Sequence, residues 1–336
     1  MIYTLCLTLT VASLAVAWVA TGAVTRWLER RAILDHPTPR GLHDRPTPRG
    51  GGLGLLAGLA VGWAGTLVLL PGADPWATGA ALTGAAVLAA VSFIDDVRGL
   101  PAASRLAVQA LAVALALSAL PADGFVFQGL LPLPADRLAT GLAWLWFVNL
   151  FNFMDGIDGI SGVEAASIGC GGALVAWLTG SFASVGFSLA AAGAALGFLR
   201  WNWHPARVFL GDVGSVPLGF LLGWLMIGAA LDGAWAAALI LPAYYWTDAT
   251  LTLLQRLARG EAVWRPHRGH FYQRAVQHGM RHGDVARQLA SANLVLIALA
   301  YLSVEGAPLL ALALAVVPVA TLLRRFGRAS PLPSAG

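Results

Sequence analysis

Polar side chains recur every three residues in the stretch NLFNFMDGIDGISG. They are Asn149, Asn152, Asp155 and Asp158, and this spacing places them along one side of a helical or near-helical segment. The glycine after each aspartate allows a broken turn and the close approach of a ligand. Because an apolar sequence has no use for four such groups on one side unless they face a cavity, we expect a polar cavity here.

Two adjacent carboxylates, Asp95 and Asp96, end an apolar run in the stretch SFIDDVR. At a membrane boundary such a pair loses hydration and its members repel each other. It persists where a metal, a cationic partner or a proton-transfer role compensates. Two solvated acids that cap a helix end are the plainer alternative.

A third carboxylate, Asp212, lies between glycines where another apolar run begins. Carboxylate oxygen in this position suits a hard cation that is shared with a phosphate, so we expect magnesium, with manganese as its substitute. Phe209 precedes Asp212 by three residues and could stack on a nucleobase.

An arginine-rich loop repeats the motif PTPRG at 37–41 and 46–50. The glycines of the second copy lead into a helix, and exposed amides beside arginines suit a phosphate. A plain Pro/Gly turn is the alternative. Each copy presents an arginine, Arg40 and Arg49, and Arg49 is the candidate that we carry forward.

A second basic loop contains His267, Arg268 and His270 in the stretch HRGHFYQR. Histidine and arginine at this density beside a membrane favour phosphate binding. A zinc site is the weaker alternative, because no cysteine lies near and the acidic residues suit magnesium better.

The elements that must position these residues follow from composition. The chain has 336 residues, of which 58% are hydrophobic and 11% are charged, whereas a soluble domain carries about 25% charged residues. Apolar runs of about 20 residues without period-2 alternation predict an all-α integral membrane protein, a polytopic bundle of about 10–11 transmembrane helices. We expect one transmembrane domain over 1–326 and a disordered tail over 327–336. The predicted spans are 2–24, 50–70, 76–94, 104–120, 137–154, 162–179, 182–199, 213–230, 233–254, 287–303 and 307–323.

The arginines orient this bundle. All 21 basic residues are arginines, and with the N-terminus outside only Arg137 falls in an outer segment. The positive-inside rule therefore predicts an outer N-terminus, a cytoplasmic C-terminus and an active site on the cytoplasmic face of the membrane. Because topology and anionic ligands account for the basic charge, it is no argument for nucleic acid as a partner.

Taken in order, these motifs resemble the polyprenyl-phosphate N-acetylhexosamine-1-phosphate transferase superfamily, of the glycosyltransferase family 4 type. That superfamily includes the phospho-N-acetylmuramoyl-pentapeptide transferase of peptidoglycan synthesis. The resemblance covers 35–282 and rests on PTPRGGG, FIDDVRGL, NLFNFMDGIDGISG, NWHPARVFLGDVGS and HRGHFYQR. The last motif looks like the branch that initiates O-antigen and capsule synthesis.

The resemblance implies that UDP-N-acetylhexosamine gives its sugar 1-phosphate to undecaprenyl phosphate and releases UMP. Membrane lipid and a second copy of the chain, in a homodimer, are further partners. The peptidoglycan transferase is the alternative. A secondary transporter is a remote one, since it predicts polar groups near mid-membrane, reachable from both sides.

Carried over by position, the resemblance also assigns roles. It implies a phosphate-binding basic residue in the first loop, for which Arg40, His43 and Arg49 compete. Asp95 would act as a base or as a nucleophile, and the sequence leaves both open. The implied roles are catalysis at the lipid phosphate for Asp95 and Asp96, magnesium binding for Asp212, diphosphate contact for His267 and His270, and the nucleotide pocket for Asn152, Asp155, Asp158, Asn202 and Phe209.

Overall fold

The computed structural model describes residues 1–37, 42–263 and 267–328. Over that part of the chain the backbone forms thirteen helices and a two-stranded sheet. The elements are α1 Ile2–Arg30, β1 Leu34–Asp35, β2 Thr47–Pro48, α2 Gly52–Leu69, α3 Pro75–Arg98, α4 Ala102–Leu117, α5 Leu133–Phe153, α6 Ile160–Leu178, α7 Phe182–Asn202, α8 Asp212–Leu231, α9 Trp235–Ile240, α10 Ala243–Ala258, α11 Phe271–Gln277, α12 His282–Val304 and α13 Pro308–Gly327.

Each predicted apolar run is helical, which confirms the all-α membrane architecture. Among the described residues, eight helices are long and apolar enough to cross a membrane, namely α1, α2, α3, α6, α7, α8, α12 and α13. The run at 233–254 differs from the prediction, because it forms α9 and α10 with a break at Leu241 and Pro242. Proline has no N–H to donate and its ring clashes with the preceding turn, which interrupts a continuous helix.

Two features near the C-terminal end of the described chain differ from or extend the prediction. The short helix α11 follows the second basic loop and was not predicted as an element. The last helix ends at Gly327, which is the first residue of the tail predicted over 327–336; residues 329–336 lie outside the described part of the chain.

Helix α8 lies at the centre of the bundle, where it packs against α2, α3 and α5. In the most apolar stretch of α8, 83% of the residues are buried, whereas the corresponding share in the peripheral helix α1 is 22%. At its start, Gly214 touches the start of α2, since a Cβ added to Gly52 would lie 2.2 Å from the Cα of Gly214. Only glycine allows this backbone contact, which holds the first arginine-rich loop against Asp212.

The small sheet fastens that loop to the segment before α8. Strand β1 pairs antiparallel with β2. Just beyond β2, the amide of Phe209 donates to the carbonyl of Pro48 at 2.8 Å, and the amides of Gly50 and Gly51 donate to the carbonyl of Phe209 at 3.2 and 2.9 Å. These bonds place Arg49 beside the first residue of α8.

Candidate active site

Three carboxylates and two arginines meet where α3, α4, α8 and the first loop come together. The Nη2 atom of Arg49 lies 2.9 Å from Asp96 Oδ1 and 2.8 Å from Asp212 Oδ1. The Nη1 atom of Arg105 lies 2.8 Å from Asp95 Oδ2 and 3.6 Å from Asp212 Oδ2. Asp212 is therefore reached by both arginines. We call these five residues the carboxylate cluster.

The adjacent aspartates of this cluster have different partners. The Asp96 side chain is 2% exposed and accepts hydrogen bonds from the backbone N–H groups of Asp212 and Val213, at 3.2 and 3.0 Å. It thus binds the amides at the start of α8, where the helix dipole favours a negative charge. Asp95 accepts from the N–H of Leu100 at 2.6 Å and from Arg105. The pair holds α8 and Arg105 around Asp212, and its catalytic role stays a prediction.

The first loop contributes Arg49 as its basic residue in the cluster. Burial lowers the pKa of Arg49, but the charges of Asp96 and Asp212 outweigh burial and raise it. The guanidinium is therefore charged at any physiological pH. Of the other candidates for the phosphate-binding residue of this loop, His43 packs edge-on against the ring of Phe209, and Arg40 lies outside the described residues.

A cavity of about 290 Å³ opens on one side of Asp212. We call it the polar cavity, because carboxylate, amide, imidazole and guanidinium groups line it. It gathers every residue predicted for the nucleotide pocket, namely Asn152, Asp155, Asp158, Asn202 and Phe209, together with Asp35, His43, Arg49, Asp212, Gln273 and His282.

Asn152 lies in the last turn of α5, Asp155 lies two residues beyond the end of that helix, and both line this cavity. Burial raises the pKa of Asp155 to about 7, the charge of Asp212 adds to the rise, and a hydrogen bond with Ser161 opposes it. The Nδ2 group of Asn152 donates to Ser215 Oγ at 2.8 Å, which ties α5 to α8. Asp155 therefore changes its charge near neutral pH.

Asp158 binds two imidazoles on the far wall of the polar cavity. His204 Nδ1 lies 2.7 Å from its Oδ2 and His282 Nδ1 lies 3.2 Å from its Oδ1. Burial alone would raise the pKa of Asp158, but hydrogen bonds with His282 and His204 outweigh burial and lower it. One ligand atom from each of the three lies within 4.8 Å of the others. This set could hold a transition metal, whereas the oxygen-only carboxylate cluster suits a hard cation.

Asn202 and Phe209 close the same cavity in different ways. The Asn202 amide accepts from the N–H of Gly159 at 2.9 Å and donates to the carbonyl of Val208 at 3.0 Å. Both ends of this side chain are therefore used in holding the loops together. The Phe209 ring packs edge-on against His43, with ring centroids 4.9 Å apart, and its remaining surface faces the cavity.

A second cavity, of about 400 Å³, opens on the other side of Asp212. We call it the amphipathic cavity, because its polar end meets apolar walls from the flanks of α3, α4, α5 and α10. Asp212, Asn152 and Gln273 line both cavities. The polar end of the amphipathic cavity also includes Asp95, Arg105, Gln109, Asn149, His267 and His270, and its apolar walls include Leu88, Val91, Leu106, Val108, Val216 and Leu253.

The second basic loop brings its two histidines, but not Arg268, to the amphipathic cavity. The rings of His267 and His270 lie 4.8 Å apart. Burial lowers the pKa of His267 to about 4, and the neighbouring charges of His270 and Arg256 lower it further. Arg268 is outside the lining of both cavities, and its carbonyl accepts from Gln277 Nε2 at 2.9 Å.

Sequence reasoning missed several residues of the site. Arg105 was counted only among the arginines on the cytoplasmic side. Its position ten residues after Asp95 could have indicated that it lies near that carboxylate. His204 and His282 lie 46 and 124 residues from Asp158, so no local spacing pairs them. Gln273 gave no signal of its own.

Comparisons with known proteins identify the family of the chain. The family profile described as glycosyl transferase family 4 matches residues 78–230, which include α8 and the carboxylates of the cluster. A probable undecaprenyl-phosphate N-acetylglucosaminyl 1-phosphate transferase of Bacillus subtilis (strain 168) is 27% identical over 286 residues, 81% of this chain and 77% of that protein.

Two further relatives differ in how much of the chain they match. The decaprenyl-phosphate N-acetylglucosaminephosphotransferase of Mycobacterium tuberculosis (strain ATCC 25618 / H37Rv) is 31% identical over 313 residues, 80% of this chain and 75% of that protein. The phospho-N-acetylmuramoyl-pentapeptide-transferase of Bacillus subtilis (strain 168) is 40% identical over a shorter stretch of 98 residues, 26% of this chain and 30% of that protein. Because the mycobacterial relative is matched over most of its length and the profile includes the three carboxylates of the cluster, the chain belongs to glycosyl transferase family 4.

Proposed function

We propose that this protein transfers an N-acetylhexosamine 1-phosphate from a UDP-sugar to undecaprenyl phosphate and releases UMP. The observation that carries the proposal is the position of Asp212, on the wall shared by a polar cavity and an amphipathic cavity. Two substrates of different character can meet there at one carboxylate. The activities named for the Bacillus and Mycobacterium relatives support a polyprenyl-phosphate acceptor and an N-acetylglucosamine 1-phosphate donor group.

The polar cavity suits the nucleotide of the donor. Phe209 offers a ring face for stacking, and base stacking on an aromatic ring contributes about 1–3 kcal/mol. Asp155 and Asp158 offer hydrogen-bond acceptors to a base or ribose. Arg49 stands at the Asp212 end, where it can hold the diphosphate.

The amphipathic cavity suits the lipid phosphate. Its apolar walls come from helix flanks, so an isoprenoid chain can lie against them while the phosphate reaches the polar end. Arg105, which is 41% exposed at its side chain, and the histidines of the second basic loop are placed to bind that phosphate.

The reaction then joins the two cavities. An oxygen of the lipid phosphate attacks the sugar-bearing phosphorus of the donor, a new P–O bond forms, and the P–O bond to UMP breaks. Negative charge moves from the acceptor oxygen to the leaving phosphate of UMP. Arg105 on one side and Arg49 on the other remain fixed while this charge moves, which stabilises the transition state electrostatically.

A magnesium ion fits this arrangement as a cofactor. The Asp212 side chain is 18% exposed, so its carboxylate oxygens are available to a ligand. Asp95 adds a second carboxylate in the same cluster. Hard cations prefer such oxygen donors. When bound, the ion would neutralise charge on the donor diphosphate. Asp96 is buried against the amides of α8, so its contribution is to position Asp212.

The cellular role that we propose is the first step of an O-antigen- or capsule-like glycan at a bacterial inner membrane. The HRGHFYQR motif supports this branch. The peptidoglycan transferase remains a second candidate, because the Bacillus phospho-N-acetylmuramoyl-pentapeptide-transferase matches locally at 40% identity.

One assay tests the reaction and separates these candidates. Purified protein in detergent is given undecaprenyl phosphate, magnesium and a panel of UDP-sugars that includes UDP-N-acetylglucosamine and UDP-MurNAc-pentapeptide, and UMP release is measured. We expect release with a UDP-N-acetylhexosamine. Release only with the pentapeptide donor would favour the peptidoglycan role, and release with none of the donors would refute the proposed function.

The proposal also requires both cavities to face the cytoplasm. Reporter fusions after Arg49, Arg98, Gly260 and Arg325 should read cytoplasmic, and a fusion at Asp123 should read external. Opposite sidedness of the Arg98 and Gly260 fusions would contradict a single active face.

A further inference from the structure

A fully buried aspartate of α10, Asp248, collects five hydrogen bonds beside the amphipathic cavity. No motif or spacing in the sequence pointed to Asp248, because it lies within an apolar run. The donors are Tyr244 Oη to Oδ2 at 2.8 Å, Thr252 Oγ1 to Oδ1 at 3.1 Å, the Phe271 amide to Oδ1 at 3.0 Å, the Tyr272 amide to Oδ2 at 3.2 Å, and His270 Nδ1 facing Oδ1 at 3.3 Å.

The contact with Asp248 determines the tautomer of His270. A carboxylate can only accept a hydrogen bond, so Nδ1 of His270 must carry the hydrogen. In the neutral ring the Nε2 atom is then the unprotonated nitrogen with a free lone pair. His270 is 3% exposed at its side chain and lines the amphipathic cavity.

The surroundings restrain the ring further. Tyr272 stacks on it, with centroids 5.8 Å apart and planes at 22°. Gln273 Oε1 accepts from the His270 amide at 3.3 Å, at the start of α11. The imidazole is therefore held by Asp248, Tyr272 and the helix start, and its orientation is fixed before any ligand binds.

We propose that Asp248 is a positioning residue, which holds His270 in the tautomer and orientation whose Nε2 contacts the phosphate of the lipid acceptor. This inference rests on the proposed function. The acceptor phosphate gives the proton of its P–OH group to Nε2, the electron pair stays on the phosphate oxygen, and Asp248 stabilises the resulting imidazolium. The proton later leaves with the UMP phosphate, which restores the neutral ring.

A purely structural role for Asp248 predicts different behaviour. The Phe271 and Tyr272 amides make Asp248 a cap for α11, and loss of that cap alone would lower the stability of the loop as a whole. Such a loss would act equally with or without the imidazole at 270. The positioning role instead predicts that Asp248 matters to the acceptor only while His270 is present.

The test is a double-variant cycle with Asp248→Asn and His270→Gln. Each single variant should raise the Kd of undecaprenyl phosphate, measured by calorimetry in detergent, about tenfold, since a hydrogen bond to a charged group is lost. Each should also lower kcat for UMP release about 100-fold, a typical contribution of a positioned proton acceptor. The double variant should bind and react no worse than His270→Gln alone, and Kd for UDP-N-acetylglucosamine should stay within about twofold.

A matched control separates positioning from stability. Tyr244 donates to Oδ2 of Asp248, the oxygen that does not face His270. Tyr244→Phe should lower the Tm yet keep the acceptor Kd. If Asp248→Asn fails to fold, Asp248→Glu keeps the charge but displaces it, and should still weaken acceptor binding selectively.

The outcomes distinguish this inference from the proposed function. Additive effects of the two substitutions, or an equal loss of donor and acceptor binding, would overturn the positioning role. Acceptor binding does not require turnover, so a wild-type protein that binds undecaprenyl phosphate but releases no UMP would refute the reaction while the binding cycle still decides the role of Asp248.

Discussion

The two cavities beside Asp212 are built from different parts of the fold. The polar cavity is lined by residues of the loops and turns at helix ends, such as Arg49, Asp155 and Phe209. The amphipathic cavity lies between helix flanks, and its described lining combines polar groups with the apolar side chains of those flanks. Loops can surround a ligand with hydrogen-bonding groups, whereas helix flanks supply a long apolar wall. The architecture thus matches a water-soluble donor on one side and an amphiphilic acceptor on the other.

The cationic partners of Asp212 are divided in the same way. Arg49 lines the polar cavity and Arg105 lines the amphipathic cavity, yet both reach the one carboxylate. The comparison therefore predicts that substitutions at the shared wall affect both substrates, and that substitutions further out affect one.

The largest effect should come from the shared wall itself. Asp212→Asn removes one negative charge that both arginines and the cation need, so UMP release should fall by at least about 100-fold, as for loss of an electrostatic catalytic group. Calorimetry should also find magnesium binding lost. The exposed Asp123→Asn is the control for the removal of one carboxylate. A folded Asp212→Asn protein with near-normal turnover would show that the cation binds elsewhere.

The two arginines should separate the substrates. Arg49→Gln should raise KM for UDP-N-acetylglucosamine and Arg105→Gln should raise KM for undecaprenyl phosphate, each about 10- to 100-fold, because each loses charged hydrogen bonds to one phosphate. Steady-state kinetics with one substrate varied at a time gives both values. Arg287→Gln, whose side chain is 61% exposed on α12, is the control. If both variants weakened the same substrate, the division of the site would be wrong.

Much of this site could be predicted from the sequence, because its residues stand out against an apolar background. Asn152, Asp155 and Asp158 are costly in a membrane unless they face a cavity, and the structure gathers them in one. The same contrast identified Asp95, Asp96 and Asp212. What the pattern leaves out is which carboxylate is buried and which faces a ligand.

The residues that escaped prediction have tertiary causes. Arg105 looks like any inward arginine until α4 places it beside Asp95. Asp248 lies in a run that was interpreted as one continuous span, and only the break before α10 and the return of α11 surround it with donors. The sequence therefore predicts the type of site, whereas long-range packing determines its positioning groups.

A smaller effect should come from the outer part of the polar cavity. Phe209→Ala should raise KM for UDP-N-acetylglucosamine about tenfold with kcat little changed, since stacking acts equally on the bound substrate and the transition state. KM for undecaprenyl phosphate should stay constant. Phe182→Ala, at the opposite end of α7 from Asn202, is the aromatic control. A fall in kcat without a change in KM would place Phe209 in the chemical step instead.

The smallest effect concerns the pH dependence of cation binding. Asp155 has a pKa raised to about 7 by burial, with the charge of Asp212 adding to it, so it is largely neutral below that pH in the cation-free protein. A cation at Asp212 favours the ionised form and lowers this pKa, and binding therefore releases a proton. Magnesium affinity should rise with pH up to about 7 and level off above it. The total rise should be about tenfold for each unit by which the cation lowers the pKa of Asp155.

Calorimetry at pH 6.5 in two buffers of different ionisation enthalpy measures the released proton. Asp155→Asn should abolish both the release and the pH dependence, while Asp35→Asn, on the same cavity, should keep them. An Asp155→Asn protein that still releases the proton would assign the titration to another group of the site.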